Sequence, residues 1–238
     1  MLLSLVPLAL AASSVAAPSP SPAGPPKGFL GFGGQGNCNC NQNLAIGNIA
    51  GLTPPSHSVS FIALGVGTQN YTCSAGGTYA SAGAVASLFD VSCITSSPDF
   101  ATLSSKAFGS WNKASASASP ASALNSIQGI NKSPIGDHYF TTSPSGNGTS
   151  PKWDMTSKAF KGNTNAFVIA AKQGSVPSPG GSTNVDWLYL TSVGGALADE
   201  IYRTETQGGQ PPASCTAGQT TTVKYTSLYY LTGGSVKK

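Results

Sequence analysis

The stretch VDWLYLT, residues 185–191, decides the fold class of this chain. Its β-branched and aromatic side chains favour the pleated, half-buried surface of a β-strand. Similar short runs recur along the chain, separated by breaks rich in Gly, Ser and Pro, a pattern typical of a sandwich or a barrel. The predicted strands cover residues 59–64, 68–73, 83–91, 137–141, 151–155, 166–171, 185–191, 200–204 and 221–231. We therefore predict an all-β fold, a single-domain β-sandwich or distorted barrel with long loops.

Two regions depart from this pattern. The glycines of Gly65-Val66-Gly67 predict a break between the first two strands. Residues 101–130 are rich in Ala and Ser and contain Trp111. They predict either a short helix or a long loop that crosses between sheets.

The N-terminal region predicts a targeting signal followed by a tail. Residues 2–12 form an apolar run too short to span a bilayer, and small residues follow it, so residues 1–17 are interpreted as a secretory signal peptide. Residues 18–45 are rich in Pro, Gly and Ser and predict an extended tail, which leaves residues 46–238 as the β domain. No later segment is apolar enough for a membrane helix. We expect a secreted, extracellular protein without a membrane span.

The charge pattern excludes one class of partner. Charged residues make up 8% of the chain, against about a quarter in a typical soluble domain. The net charge of +4 comes from scattered lysines, and Arg203 is the single arginine. Because nucleic-acid binding requires stripes or clusters of basic residues, no nucleic-acid partner is predicted.

Sequons and cysteines fit an oxidising, glycosylating compartment. Glycan acceptors are predicted at Asn70, Asn131 and Asn147, with Asn147 favoured because its surroundings resemble a loop tip. The chain has five cysteines, so at least one disulfide is expected, and the odd cysteine is either a free thiol or part of an intermolecular bond. The candidates at ends of predicted strands are Cys73, Cys93 and Cys215, and we expect Cys215 to bond to one of the other two.

Neither a cofactor nor a metal is predicted. The stretch GFGGQG, residues 31–36, matches the dinucleotide fingerprint G-x-G-x-x-G. That motif works between a buried strand and a helix, whereas here a proline-rich tail precedes it, so the match is interpreted as chance. Cys38 and Cys40 have no histidine nearby, and no H-E-x-x-H motif is present, which excludes the familiar zinc patterns.

Two groups of residues are candidates for chemistry. His138, with Asp137 and Asp186, could act in acid–base catalysis, although Asp137 and His138 are strand neighbours and should point to opposite faces. The alternative is a structural histidine bonded to a main-chain carbonyl. Arg203 has two interpretations. The favoured one is a structural ion pair with Asp186, and the other is a guanidinium fork that binds the carboxylate of a ligand.

Three segments carry a resemblance to a known family: GVGTQNYTC (65–73), VDWLYL (185–190) and IYRTETQGGQPPASC (201–215). Together they resemble a secreted, mostly fungal family known as domain of unknown function 3455, over roughly residues 59–231. The resemblance implies a fold and a compartment, and it draws attention to a histidine–aromatic pair at His138 and to a polar and aromatic set, Gln69, Tyr71 and Trp153. Such side chains often line small-ligand clefts, although they also fill β-sandwich cores.

The leading functional interpretation is a binding or structural module at the cell surface or wall, with a glycan or a small extracellular ligand as partner. The second is a small extracellular hydrolase or other enzyme that uses His138 with aspartates, although no G-x-S-x-G nucleophile elbow is present. The third follows the label malate dehydrogenase, which many fungal members of the family carry. It would imply hydride transfer with a nicotinamide, but the alternating β and α pattern of such enzymes is missing.

Overall fold

Eight stretches rich in β-branched and aromatic residues form the strands of a closed antiparallel barrel in the computed structural model, which describes residues 44–236. Each strand pairs with the next, and the last returns to the first, so no sheet edge is left unpaired. The predicted all-β fold is confirmed, and it takes the form of a barrel. The strands are β1 Val59–Cys73, β2 Tyr79–Asp90, β3 Gly136–Thr142, β4 Thr149–Asp154, β5 Phe167–Val176, β6 Trp187–Gly195, β7 Glu200–Gly208 and β8 Thr220–Thr232.

A single α-helix, α1 (Leu103–Lys113), forms within the described residues, in the segment where the sequence left helix and loop open. Its buried residues Leu103, Ala107 and Trp111 recur every four positions and form one apolar stripe. The stripe packs against the outside of the barrel, where the Trp111 indole donates to the Gly67 carbonyl at 2.7 Å. Short 3-10 helices flank it at Ser92–Ile94, Phe100–Thr102 and Pro120–Leu124.

The predicted break at Gly65 and Gly67 is wrong, because β1 runs through both glycines without interruption. The glycines serve close packing instead. A Cβ atom on Gly65 would lie 2.5 Å from Cε2 of the Tyr229 ring, and one on Gly67 would lie 2.6 Å from the Ala86 Cα. A strand glycine can mark such a close approach as readily as it marks a turn.

Strand alternation divides the apolar residues into an inner and an outer core. On β1, Phe61 and Ala63 face the barrel interior, whereas Ile62 and Leu64 face outward beneath α1 and its flanking segments. The interior apolar cluster also includes Leu88, Met155, Val168, Leu190, Ile201 and Leu231.

A disulfide between Cys73 and Cys215 joins the end of β1 to the loop between β7 and β8. This confirms the expectation that Cys215 bonds to Cys73 or Cys93. Cys93 is also disulfide-bonded, so none of the three described cysteines is a free thiol. Cys38 and Cys40 lie outside the described residues.

The predicted glycan acceptors differ in their surroundings. Asn131 and Asn147 are exposed in loops, whereas Asn70 is partly buried within β1. Glycosylation of all three remains a prediction.

Several N-terminal predictions lie outside the described residues: the signal peptide over 1–17, the fingerprint match at 31–36 and the tail over 18–45 except for its last two residues. Between residues 44 and 236, no helix is long and apolar enough to cross a membrane.

Candidate ligand site inside the barrel

The inner wall of the barrel changes from apolar to polar along its length. On β1 the inward-facing positions begin with Phe61 and Ala63 and end with Gln69 and Tyr71. The polar half therefore lies at the end of the barrel that carries the β1–β2 turn. The loop between β7 and β8, fixed by the disulfide to Cys73, lies at the same end.

A row of directly opposed residues crosses this inner wall from strand to strand. It runs through Tyr225, Gly67, Ala86, His138, Trp153 and Val168. Directly opposed residues share one face of the sheet. Two residues of the predicted site, His138 and Trp153, are therefore neighbours inside the barrel.

His138 is held between aromatic rings. Its ring stacks on Trp153 with a centroid distance of 4.4 Å and lies 5.4 Å from the Tyr229 ring. Its Nδ1 lies 2.9 Å from the Lys152 carbonyl. Because a carbonyl oxygen only accepts, Nδ1 carries the proton and Nε2 is left as an acceptor.

Burial lowers the pKa of His138 to about 3, with the Arg203 charge acting in the same direction and the Lys152 carbonyl opposing it. The imidazole is therefore neutral over the physiological range. A general base works best when its pKa lies near the operating pH, and the pKa of His138 lies far below it.

Asp137 and Asp186, the aspartates expected to act with His138, do not contact its imidazole through a hydrogen bond. Asp137 lies on the opposite face, as strand alternation requires, and its Oδ1 accepts from the Lys158 Nζ at 2.6 Å. No hydrogen bond joins His138 to Asp137 or Asp186 within the described chain. The catalytic group of His138 with aspartates is thus not assembled, and the structural alternative, a histidine bonded to a main-chain carbonyl, is what forms.

Arg203 faces the interior from β7, opposite Leu188 on one side and Tyr229 on the other. Its Nε and Nη2 donate to the main-chain carbonyl of Asp186 at 3.1 and 2.8 Å. The predicted ion pair with the Asp186 carboxylate is therefore wrong: the two residues meet, but through a backbone oxygen. The Arg203 charge also acts on Tyr71, His138 and Tyr225.

Gln69 and Tyr71 line the same polar half. The Tyr71 hydroxyl donates to the Gly209 carbonyl at 2.7 Å, and burial raises the pKa of this tyrosine while Arg203 opposes the rise. Gln69 packs against Gly209 and Tyr225, since a Cβ on that glycine would lie 3.1 Å from an atom of each side chain. The Gln69 side chain is 6% exposed.

The polar groups of this lining are incompletely paired. Trp153 Nε1 is shielded from solvent and makes no hydrogen bond within the described residues, and the equally shielded Gln69 Nε2 interacts with the Tyr225 hydroxyl without forming a hydrogen bond of normal geometry. The Ser227 Oγ, on the inner face of β8, is in the same state as Trp153 Nε1. Trp187 Nε1, outside the barrel, is also unpaired. Leaving a buried polar group unpaired costs about 1–3 kcal/mol, a cost that a hydrogen-bonding partner from outside the chain would relieve.

The polar half is not fully sealed from solvent. Most of its members are buried, but the inward-facing Leu188 and Arg203 are partly exposed. These two residues therefore form the part of the lining that contacts solvent.

Sequence reasoning missed Tyr225, Ser227 and Tyr229, which are buried on the inner face of β8. The hydroxyls of Tyr225 and Tyr229 lie 2.9 Å apart. The alternation within residues 220–232 places all three on one face, but which face turns inward depends on closure of the barrel.

A second buried polar cluster, also missed, lies at the opposite end of the barrel. Glu200 accepts from the Ser56 hydroxyl at 2.7 Å, from Thr232 at 2.7 Å and from Tyr189 at 3.3 Å. Hydrogen bonds from Ser56 and Thr232 outweigh burial and lower the pKa of Glu200. All of its bonds are satisfied internally, so this cluster fastens the segment before β1 to the barrel.

Comparison with known proteins places the chain in a family without adding a reaction. No curated protein and no solved structure matches it. The family described as "Protein of unknown function (DUF3455)" matches residues 54–233, which include all eight strands and the whole interior lining. The chain therefore belongs to the DUF3455 family of proteins of unknown function.

Proposed function

We propose that this chain is a secreted binding module that holds a small extracellular ligand in the polar half of its barrel. The observation that carries the proposal is the buried Trp153 Nε1, which has no acceptor within the described residues, together with the Gln69 amide, whose interaction with Tyr225 falls short of a normal hydrogen bond. A ligand that accepts hydrogen bonds from them would remove an energetic penalty that the free protein bears. An eight-stranded barrel has room for one small ligand at most, which favours a compact molecule over a glycan chain.

The chemistry of the lining supports binding over catalysis. His138 is neutral and bonded to a carbonyl, and neither Asp137 nor Asp186 is bonded to it. The closed antiparallel barrel also lacks the parallel βαβ unit on which a nicotinamide enzyme would bind its cofactor. The label malate dehydrogenase therefore finds no support in the fold.

The disulfide supports the extracellular part of the proposal. Cys73 and Cys215 are separated by 142 residues and pair at the rim of the polar half. Structural disulfides of this kind persist in oxidising compartments and are rare in the cytosol.

Indole N–H resonances in the NMR spectrum provide a direct test, because Trp153 lies in the lining while Trp111 lies outside the barrel and already donates to Gly67. A library of neutral, anionic and cationic fragments is titrated into the protein, and Trp153→Phe assigns the resonance. We expect at least one fragment to shift the Trp153 signal saturably while the Trp111 signal stays in place.

The variant Gln69→Leu provides a second readout. It removes a donor whose interaction with Tyr225 is weak, so the free energy of unfolding should change by no more than about 1.5 kcal/mol, while binding of the fragment that shifts Trp153 should weaken. The proposal is overturned when no fragment of any charge moves the Trp153 resonance of the folded protein.

A further inference from the structure

We infer that the ligand of the barrel carries a carboxylate group that pairs with Arg203. This inference rests on the proposed binding function and names the class of molecule that the interior accepts. It makes Arg203 the residue that determines ligand specificity.

Arg203 has a positive charge that no neighbouring carboxylate in the described structure balances. Arg203 is the only arginine of the chain, and a guanidinium carries a full positive charge. It is partly buried, and no carboxylate lies within ion-pair distance of it in the described structure. Asp99, Asp137 and Asp154 pair with lysines, while Asp199 and Glu200 lie 3.8 and 3.7 Å from the ring nitrogens of His57.

An ion without a counter-ion in a partly desolvated site is unfavourable. The Asp186 carbonyl satisfies hydrogen bonding but carries no net charge. A glutamine could serve a carbonyl equally well, so the bond to Asp186 does not by itself account for a full positive charge at this position.

A guanidinium has five N–H donors in a planar fork, and the Asp186 carbonyl engages Arg203 through Nε and Nη2. The Nη1 group makes no hydrogen bond within the described residues, so its donors are not used by the protein there. The Asp186 bond also holds the plane of the guanidinium still, which favours recognition of a planar carboxylate.

The rest of the lining also supplies donors. The side-chain nitrogens of Gln69 and Trp153 are donors that lack a normal hydrogen bond, and Arg203 Nη1 is a further donor without one. His138 adds no positive charge, because its imidazole is neutral. A lining with surplus donors and one fixed cation complements an acceptor-rich anion, and the neighbouring apolar Leu188 suits a compact organic body.

The test compares two probes that differ in charge but little in shape, benzoate and benzamide, on the full secreted protein. Binding is followed by thermal shift and by the Trp153 indole resonance. We expect benzoate to raise the melting temperature and shift Trp153, with an affinity at least about tenfold above that of benzamide, since hydrogen bonds to charged groups are the strong ones. Inorganic phosphate serves as a third probe.

Two variants complete the experiment. Arg203→Gln keeps a donor for the Asp186 carbonyl but removes the charge, and it should lose at least about tenfold in benzoate affinity. Lys113→Gln removes one positive charge from an exposed position on α1, outside the barrel, and should bind benzoate as the unmodified protein does. The comparison of benzoate with benzamide needs no variant, so it decides the question even if Arg203→Gln fails to fold.

Each contrary outcome has a distinct meaning. Equal binding of benzoate and benzamide, or of neutral fragments alone, overturns the carboxylate inference and leaves the binding module intact. If inorganic phosphate raises the melting temperature as much as benzoate does, the site binds anions in general, and the carboxylate inference is likewise overturned. Failure of every fragment, whatever its charge, to shift Trp153 overturns the binding module itself.

Discussion

Arg203 binds the main-chain carbonyl of Asp186 and not its carboxylate, with Nε and Nη2 at 3.1 and 2.8 Å from the oxygen. The contact joins β7 to the residue just before β6. It positions the guanidinium at the inner wall while leaving its charge unneutralised. The Asp186 side chain takes no part in the contact.

The first prediction follows from that geometry. Asp186→Asn should change the free energy of unfolding by less than about 0.5 kcal/mol, because the carbonyl that Arg203 binds is retained. In a double-mutant cycle with Arg203→Gln, the coupling energy should also stay below about 0.5 kcal/mol. Urea unfolding of the four proteins measures both quantities. A coupling above about 1 kcal/mol would show that the carboxylate is the partner after all.

The second prediction concerns the close contact between Gly65 and Tyr229. Gly65→Ala should destabilise the barrel by about 1–3 kcal/mol, because the added methyl group would overlap the Tyr229 ring. The matched control is Gly109→Ala in α1, where a Cβ meets no atom within 4 Å. That change should stabilise the protein by about 0.5–1 kcal/mol through helix propensity. Thermal unfolding distinguishes the two, and a neutral Gly65→Ala would mean that the ring moves away freely.

The strands could be predicted from the sequence because they leave local signals, whereas the partner of Cys215 could only be narrowed to Cys73 or Cys93. Residues 185–191 show the β-branched and aromatic pattern of a strand, and Cys215 follows another such run. Closure of the barrel leaves no comparable signal, since it depends on β8 returning to β1 across the whole chain. The break predicted at Gly65 and Gly67 is wrong for a related reason. The residues that these glycines contact, Tyr229 and Ala86, are distant in sequence.

The candidate site could be predicted only in part. Gln69, Trp153 and His138 do share one lining, as polar and aromatic residues on separate strands can. The sequence predicts that Asp137 points away from His138, because the alternation of side chains along a strand depends only on neighbouring residues. The role of Asp186 could not be predicted, since every residue has a carbonyl and its use by Arg203 depends on the fold.

The third prediction concerns the bond between Cys73 and Cys215. Replacing both with serine should lower the free energy of unfolding by about 2–5 kcal/mol, the usual range for native disulfides in secreted domains. The loop that carries Cys215 would also lose its anchor, although Cys215 N still donates to the Gly77 carbonyl at 3.1 Å. Urea unfolding gives the magnitude. Thiol labelling of the folded, secreted protein provides an independent check, and a reactive Cys215 would contradict the assignment.

The last prediction concerns the ionisation of His138. Burial lowers its pKa to about 3 in the folded protein, whereas in the unfolded chain it is about 6.5. Below pH 6.5, His138 therefore binds a proton in the unfolded chain but stays unprotonated in the folded protein until the pH approaches 3. The contribution of His138 to stability is complete above pH 6.5 and falls by about 1.4 kcal/mol per unit as the pH drops toward 3.

The measurement compares urea unfolding between pH 4.5 and 6.5, above the ordinary pKa range of the carboxylates. His138→Gln should flatten the slope in this window, because the group that protonates only in the unfolded chain is gone. In a His57→Asn background the remaining imidazole signal in the NMR spectrum belongs to His138, and we expect it not to titrate between pH 7 and 4.5 while the protein stays folded. An imidazole that titrates near pH 6 would show that water reaches the ring, and His138 would then become available for acid–base chemistry.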